Sequence, residues 1–310
     1  MHAQREAGSK AVSDRRSASG SAMLWTLVAL FLLNMMNYVD RLIFSVAQES
    51  IKNDLILSDF ELGLIGGPAF ALLYTFATFP IARLADRGNR VAIISVAFAF
   101  WSATTAFCGI AANFGQMLLG RSAVSIGEAG CTPAAHSLIS DHFPPERRTS
   151  AMSVFVAAGP LGALVAALVG GWLVQALGWR PVFLLCGAVG ILLAILFRLT
   201  VKEPKRQKDH VRVDLLPAVR LLLARRSFAM VALACSVAGI ASYSNHQYMV
   251  SFFMRGDGMS VGEAATLLGL VIGGVGIVMT LVSGALMDAG RRRFPNIRIW
   301  LPAVGLLWCG

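Results

Sequence analysis

Charge is scarce in this chain. Only 14% of its 310 residues are charged against 56% hydrophobic, and mean hydropathy is +0.66. That excludes an ordinary soluble domain and points to a polytopic membrane protein. Cysteine is sparse too. Cys108, Cys131, Cys186, Cys235 and Cys309 all sit in apolar runs without paired spacing, so no disulfide framework or metal site follows. Cys131, one turn from Glu128, reads as a small buried hydrophobe. The five histidines (His2, His136, His142, His210, His246) are scattered, and no nucleophile-elbow pattern occurs. An enzyme would need a nucleophile with its base, or a metal-binding cluster. No enzymatic activity, cofactor or metal is therefore expected.

Acids are fewer than bases, 17 against 27, for a net charge of +10. Taken alone, that balance would fit nucleic acid or an anionic surface. Placement decides against nucleic acid. Apolar stretches of membrane-spanning length fall at about 23–48, 61–82, 91–111, 114–139, 149–175, 181–200, 228–252 and 264–286, with a ninth beginning near Ile299. Connections on the N-terminal side of the membrane hold 22 of the 27 Lys and Arg, and the opposite side only Lys52, Arg180 and Arg255. By the positive-inside bias the N-terminus is expected to be cytoplasmic, and the expected location is the cell's inner (plasma) membrane.

The organisation that follows is a disordered tail at 1–22, a six-helix bundle at 23–200, a cytoplasmic linker at 201–226 and a partial second bundle at 227–310. Leu215, Leu216, Val219, Leu222 and Leu223 in the linker recur at helical spacing, which fits an interfacial amphipathic helix or a plain solvated connection. Ser45-Val46-Ala47 resembles a cleavage site, but Asp40 and Arg41 inside the apolar run argue for a retained first helix.

An internal repeat supports this division. Ser58 and Ser260 open the second and eighth spans, 202 residues apart, and Asp86 and Asp288 close them at the same offset. Leu84, Asp86, Gly88 and Arg90 recur in register as Leu286, Asp288, Gly290 and Arg292. Copies in the same orientation make a parallel repeat of six-helix halves. The offset predicts a complete protein of at least about 400 residues, with this chain ending in or just after helix 9.

These residues carry a resemblance. Ala82 to Arg90 is similar to the cytoplasmic motif between helices 2 and 3 of major facilitator superfamily transporters, with Ala82 in place of the first Gly. Arg121-Ser122-Ala123-Val124-Ser125-Ile126-Gly127 resembles the helix 4 motif. Gly159-Pro160-Leu161-Gly162-Ala163 partly matches the helix 5 motif of exchangers but lacks its last Gly. Asn37-Tyr38-Val39-Asp40-Arg41 with Gly127-Glu128-Ala129 resembles the Spinster-like branch. The resemblance implies an all-α membrane protein of two six-helix pseudo-repeats. It also implies a secondary transporter that moves a lipid-like amphiphile or an organic anion, with protons and membrane lipids as partners and a monomer as the working unit. The rival readings are proton-coupled uptake of a small organic anion or sugar acid, and an inactive fragment.

Charges at membrane depth cost roughly 2.5–3.5 kcal/mol each on the mild insertion scale, so they mark function. Asp40 and Arg121 lie at similar depth, and Glu128 is two turns from Arg121 on the same face. Asp40, Arg41, Arg121 and Glu128 sum to zero charge, as a low-dielectric cavity requires. Asp40 is expected to respond to protons with Arg41 as its partner, and Glu128 as a second titratable position. Arg121, Glu128, Tyr38, Asn245 and Tyr248 are expected to bind substrate. A structural lock between helices 1 and 4 is the competing reading. His246 reads more readily as a satisfied interhelical group than as a titrating one. The resemblance implies a latch between halves made of Asp86, Arg87, Arg90 and Asp288. Gly159, Gly162, Gly170 and Gly171 suit close helix packing.

Overall fold

The computed structural model describes residues 2–204, 221–222, 224–275 and 278. Asp288, Cys309, the ninth span and most of the linker lie outside these residues. Every regular element among the described residues is a helix. Helix α1 is His2–Leu55, of which Gly20–Leu55 is long and apolar enough to cross a membrane. Its backbone is helical from His2 on, through the segment 1–22 that the sequence predicts to be a disordered tail. Residues 1–22 contain no proline, so no residue there blocks a helix that continues back from the apolar run.

The second span is α2 (Asp59–Gly66) and α3 (Pro68–Arg87), and the third is α4 (Arg90–Gly109). The fourth is α5 (Phe114–Glu128) and α6 (Cys131–His142). The fifth is α7 (Pro145–Val165), a π-helical segment Ala166–Gly170, and α8 (Gly171–Leu177). Then come α9 (Trp179–Thr200) and α10 (Arg226–Gly256), followed by α11 (Val261–Gly269), which runs into a second π segment, Leu270–Val275. Six of these spans pass the length and hydropathy required to cross a bilayer. The fourth is broken at Ala129–Gly130 into pieces too short individually, and the eighth is described only in part.

Local sequence explains the helix starts. Ser58 and Glu61 form a reciprocal capping box at α2, and Ser260 and Glu263 form the same box at α11. The 202-residue repeat thus recurs in hydrogen bonding as well as in letters. Asn89 and Asn113 cap α4 and α5 through side-chain oxygens that accept from Ala92 and Gln116 amides. Ser58→Ala is expected to lower stability by about 1 kcal/mol, read as a shift of the thermal midpoint in detergent.

Small residues allow the helices to meet. A methyl at Gly187 would lie 2.6 Å from both the Ser102 carbonyl and Ala106 Cβ on α4. Gly159 and Gly162 admit Tyr38 and the Met35 carbonyl of α1, Gly170 admits Ile43, and Gly171 admits Ala265 of α11. The expectation of close packing at these four glycines holds. Outward, Leu72, Phe76, Val96, Leu192 and Leu199 are exposed, as suits lipid-facing positions.

Candidate functional site

The face on which α1 enters the membrane at Gly20 is termed near, and the face at Leu55 far. Asp40, Arg121 and Glu128 are each at most 2% exposed, and all three belong to the first half. Arg41 does not pair with Asp40. Its Nε donates to Glu128 Oε2 at 2.6 Å. The expected partnership fails because successive helical residues project about 100° apart and do not face each other. Asp40 Oδ2 instead accepts from the indole Nε1 of Trp101 at 2.9 Å. Electrostatically Asp40 is repelled by Glu128 and attracted by Arg121. Asp40 Oδ1, Glu128 Oε1 and Arg121 Nε are buried without a hydrogen-bond partner.

Aromatic rings surround the two arginines. The Arg121 guanidinium sits over Phe44 at 4.5 Å and Phe70 at 4.9 Å. Arg41 sits over Tyr74 at 5.0 Å, Phe70 at 5.6 Å and Tyr38 at 6.0 Å. Phe70 therefore serves both cations. Such contacts contribute roughly 0.5–2 kcal/mol each, most when desolvated. Sequence reasoning missed this shell. Trp101 carried a usable signal, since an indole N–H in a membrane span must find an acceptor. Phe44 and Phe70 carried none.

A cavity of about 420 Å³ lies between the halves. Tyr38, Arg41 and Ser45 line it from α1, Gly159 and Pro160 from α7, and Ser242, Tyr243 and His246 from α10. Of the four charged residues expected in a site, Arg41 alone lines this cavity. Arg121 is sealed beneath Phe44 and Phe70, so it does not present its guanidinium there. Tyr38 also lines the cavity. Asn245 faces a different, larger apolar cavity between α10 and α11, and Tyr248 faces a far-side cavity with Asp59 and Arg255. Helical rotation places both away from Arg41. His246 faces both the central and the larger cavity, with Nδ1 2.9 Å from the Ser242 carbonyl of its own helix.

The near-face residues divide differently from the expected latch. Arg90 is fully buried, and its pairs are Asp141 at 2.5 Å and Glu203 at 2.7 Å. It also donates to the Ser137 carbonyl and hydroxyl. These partners come from the fourth span and the segment after α9, so Arg90 ties one half together. Arg87 is exposed, as is Asp86, at the near end of α3.

The hydrogen bonds that join the halves among the described residues lie from mid-membrane to the far face. Ser45 Oγ donates to the Gln247 carbonyl at 2.6 Å, a contact between residues related by the 202-residue offset. The pseudo-twofold axis of the repeat therefore passes between α1 and α10 here. Gln247 Nε2 donates to Gln48 Oε1 at 2.8 Å, and Gln48 Nε2 to Ser251 Oγ at 3.2 Å. Further out, Arg255 pairs with Glu49 at 2.8 Å and Asp59 at 2.7 Å, while Lys52 pairs with Asp59 at 2.6 Å.

Comparison with known proteins agrees with this architecture. Residues 30–310 match the Major Facilitator Superfamily. The chain is 36% identical over 292 residues to an MFS-type efflux pump of Mycolicibacterium smegmatis, covering 93% of this chain and 68% of that protein. It is 26% identical over 328 residues to a probable galactarate/D-glucarate transporter of Bacillus subtilis, covering 93% and 72%. Among solved structures, a bacterial homologue of the human lysosomal transporter Spinster, inward-facing and unoccupied, superposes with a TM-score of 0.78 at 37% identity. That match covers 92% of this chain and 67% of the other, so this chain spans about two thirds of the length of such relatives.

Proposed function

Because the chain belongs to the Major Facilitator Superfamily and is Spinster-like within it, we propose that this integral multi-pass protein is a proton-coupled secondary transporter. Its substrate is an anionic amphiphile, moved by alternating access. The observation that carries this reading is the double life of Arg41. One side of its guanidinium is paired to a fully buried glutamate, and the residue lines the cavity between the halves. A planar fork of donors suits a phosphate or carboxylate headgroup. Around it Leu42, Pro160, Ala163 and Ile272 offer an apolar wall to a tail. Substrate headgroup and Glu128 then compete for one cation, and Asp40 sets the charge balance beneath them.

The near face is the cytoplasmic one in this reading, in a cell's inner membrane. Closure from mid-membrane to the far face supports an inward-facing arrangement, the state named for the Spinster homologue. Direct competition between substrate and a buried acid supplies the differential affinity that a conformational shift requires.

A second reading, proton-driven uptake of a sugar acid, is favoured by likeness to the galactarate/D-glucarate transporter across 93% of the chain. The two separate in proteoliposomes under an imposed pH gradient, offered lysophospholipids on one arm and hexuronates or aldarates on the other. Lysolipid flux that is lost in Arg41→Ala, with no sugar-acid flux, is expected. Sugar-acid flux alone would replace the amphiphile, and flux insensitive to Arg41→Ala would remove the headgroup role.

A further inference from the structure

The second span is interrupted where it passes the charged cluster. Pro68 has no amide to return to Leu64, and the ladder closes on either side instead, with Gly67 N–H to the Gly63 carbonyl at 2.9 Å and Ala71 N–H to Gly67 at 3.0 Å. The Gly66 carbonyl, at the break, accepts from the Tyr243 hydroxyl of the other half at 2.9 Å. Gly66 is also a point of close contact between the halves. A methyl there would lie 2.5 Å from Gln247 Nε2 and 2.9 Å from Phe44 Cε1. Phe44 is the ring under Arg121, and Phe70, one turn beyond the break, is the ring shared by Arg121 and Arg41.

Two observations meet at this break. On its far side, α2 is strapped to α10 by Asp59 with Arg255 as well as by Tyr243. On its near side, α3 begins with the residue pair that delivers Phe70. We propose that Tyr243 is a positioning residue. Its hydroxyl holds the angle of the Gly66–Gly67–Pro68 break, and thereby links closure of the far face to the placement of Phe70 beneath the two arginines. A backbone carbonyl left without a donor in a water-poor interior carries a desolvation penalty, so the bond favours the closed arrangement. Opening requires α10 to take the hydroxyl away, which frees α3 to swing and shifts the ring from both cations. The inference rests on the alternating-access reading above and adds the element that transmits it.

The test uses the full chain with its five native cysteines replaced by alanine and Ser251→Cys as the single thiol. Ser251 is buried at the far gate against Gln48, so its labelling rate by a charged, impermeant maleimide reads far-face opening without any substrate. Tyr243→Phe removes one hydroxyl and is expected to raise that rate about tenfold while moving the melting temperature by only a few degrees. Ser236→Ala, which removes an exposed hydroxyl that donates to the Ala232 carbonyl of the same helix, is the control on α10 and is expected to leave it within twofold. Phe70→Leu is expected to raise labelling modestly, and the double variant Tyr243→Phe/Phe70→Leu no further than Tyr243→Phe alone, because both act through one break. Labelling in Tyr243→Phe equal to the parent would overturn the hinge. Independent, multiplicative effects in the double variant would overturn its link to Phe70. Absence of flux in reconstituted parent protein would instead sink the transporter reading, and it leaves the labelling comparison standing as a separate result.

Discussion

Glu128→Gln is expected to reduce pH-driven flux by about 100-fold, equivalent to roughly 2.7 kcal/mol of barrier, and to destabilise the protein. The reason is charge accounting at a dry site. Glu128 is fully buried and holds Arg41 at 2.6 Å, and its second oxygen is unpartnered. Removing its charge leaves two arginines facing one aspartate. Breaking a buried pair by removing one partner typically costs about 3–5 kcal/mol, because the remaining charge stays desolvated. Arg41 is 28% exposed through the cavity, so the lower end of that range is expected. Adding Arg41→Gln restores neutrality and should recover most of the melting temperature in detergent. It should not recover flux, since the competing cation is gone. Recovery of both would reduce the pair to a structural lock, and near-normal flux in Glu128→Gln alone would remove Glu128 from the coupling scheme.

The bilayer made much of this fold legible. Span positions follow from uninterrupted hydropathy, and the two Ser-x-x-Glu starts at Ser58 and Ser260 proved to be matching capping boxes. The charged residues of the cluster stood out because a charge in an apolar run is costly. Pairing among them was not legible. Sequence spacing gives the face of a helix but not which neighbour meets it, so Arg41 was matched with its chain neighbour rather than with Glu128, 87 residues away. Arg90 shows the same limit, since its partners Asp141 and Glu203 come from two other segments. The Phe44 and Phe70 shell was invisible because a phenylalanine under a guanidinium and one facing lipid read alike in hydropathy. The break at Gly66–Gly67–Pro68 was visible as letters, but its meaning needed Tyr243 opposite it.

The halves are unequal in a way that the repeat makes explicit. The offset places Ser242 and Tyr243 opposite Asp40 and Arg41. Where the first half buries charges, the second offers a hydroxyl that grips the first half's backbone. Under the proposed scheme labour is divided: the first half changes its charge state, and the second reports that change through contacts along α1 and the second span. In this arrangement a buried acid alone would do nothing, because it needs a bistable contact to bias.

Asp40→Asn is expected to abolish uphill transport driven by a pH gradient while leaving exchange down a substrate gradient within about threefold of the parent. The substitution is close to a pure charge test. An amide oxygen accepts from the Trp101 indole as Asp40 Oδ2 does at 2.9 Å, so the local geometry is held. Asp40 Oδ1 has no partner in its buried position, which makes it the natural seat for a proton. Neutralising Asp40 by proton or by asparagine removes the anion that attracts Arg121. Neutralisation also relieves the repulsion from Glu128, which outweighs the attraction of Arg121, and each 1.4 kcal/mol of the resulting change shifts a conformational balance tenfold. The asparagine variant should therefore sit permanently in the balance that the proton would otherwise set. Its flux in proteoliposomes should be flat with pH where the parent's varies. Retention of gradient-driven accumulation by Asp40→Asn would end the assignment of proton sensing to this residue and move it to Glu128, the other buried acid of the cluster.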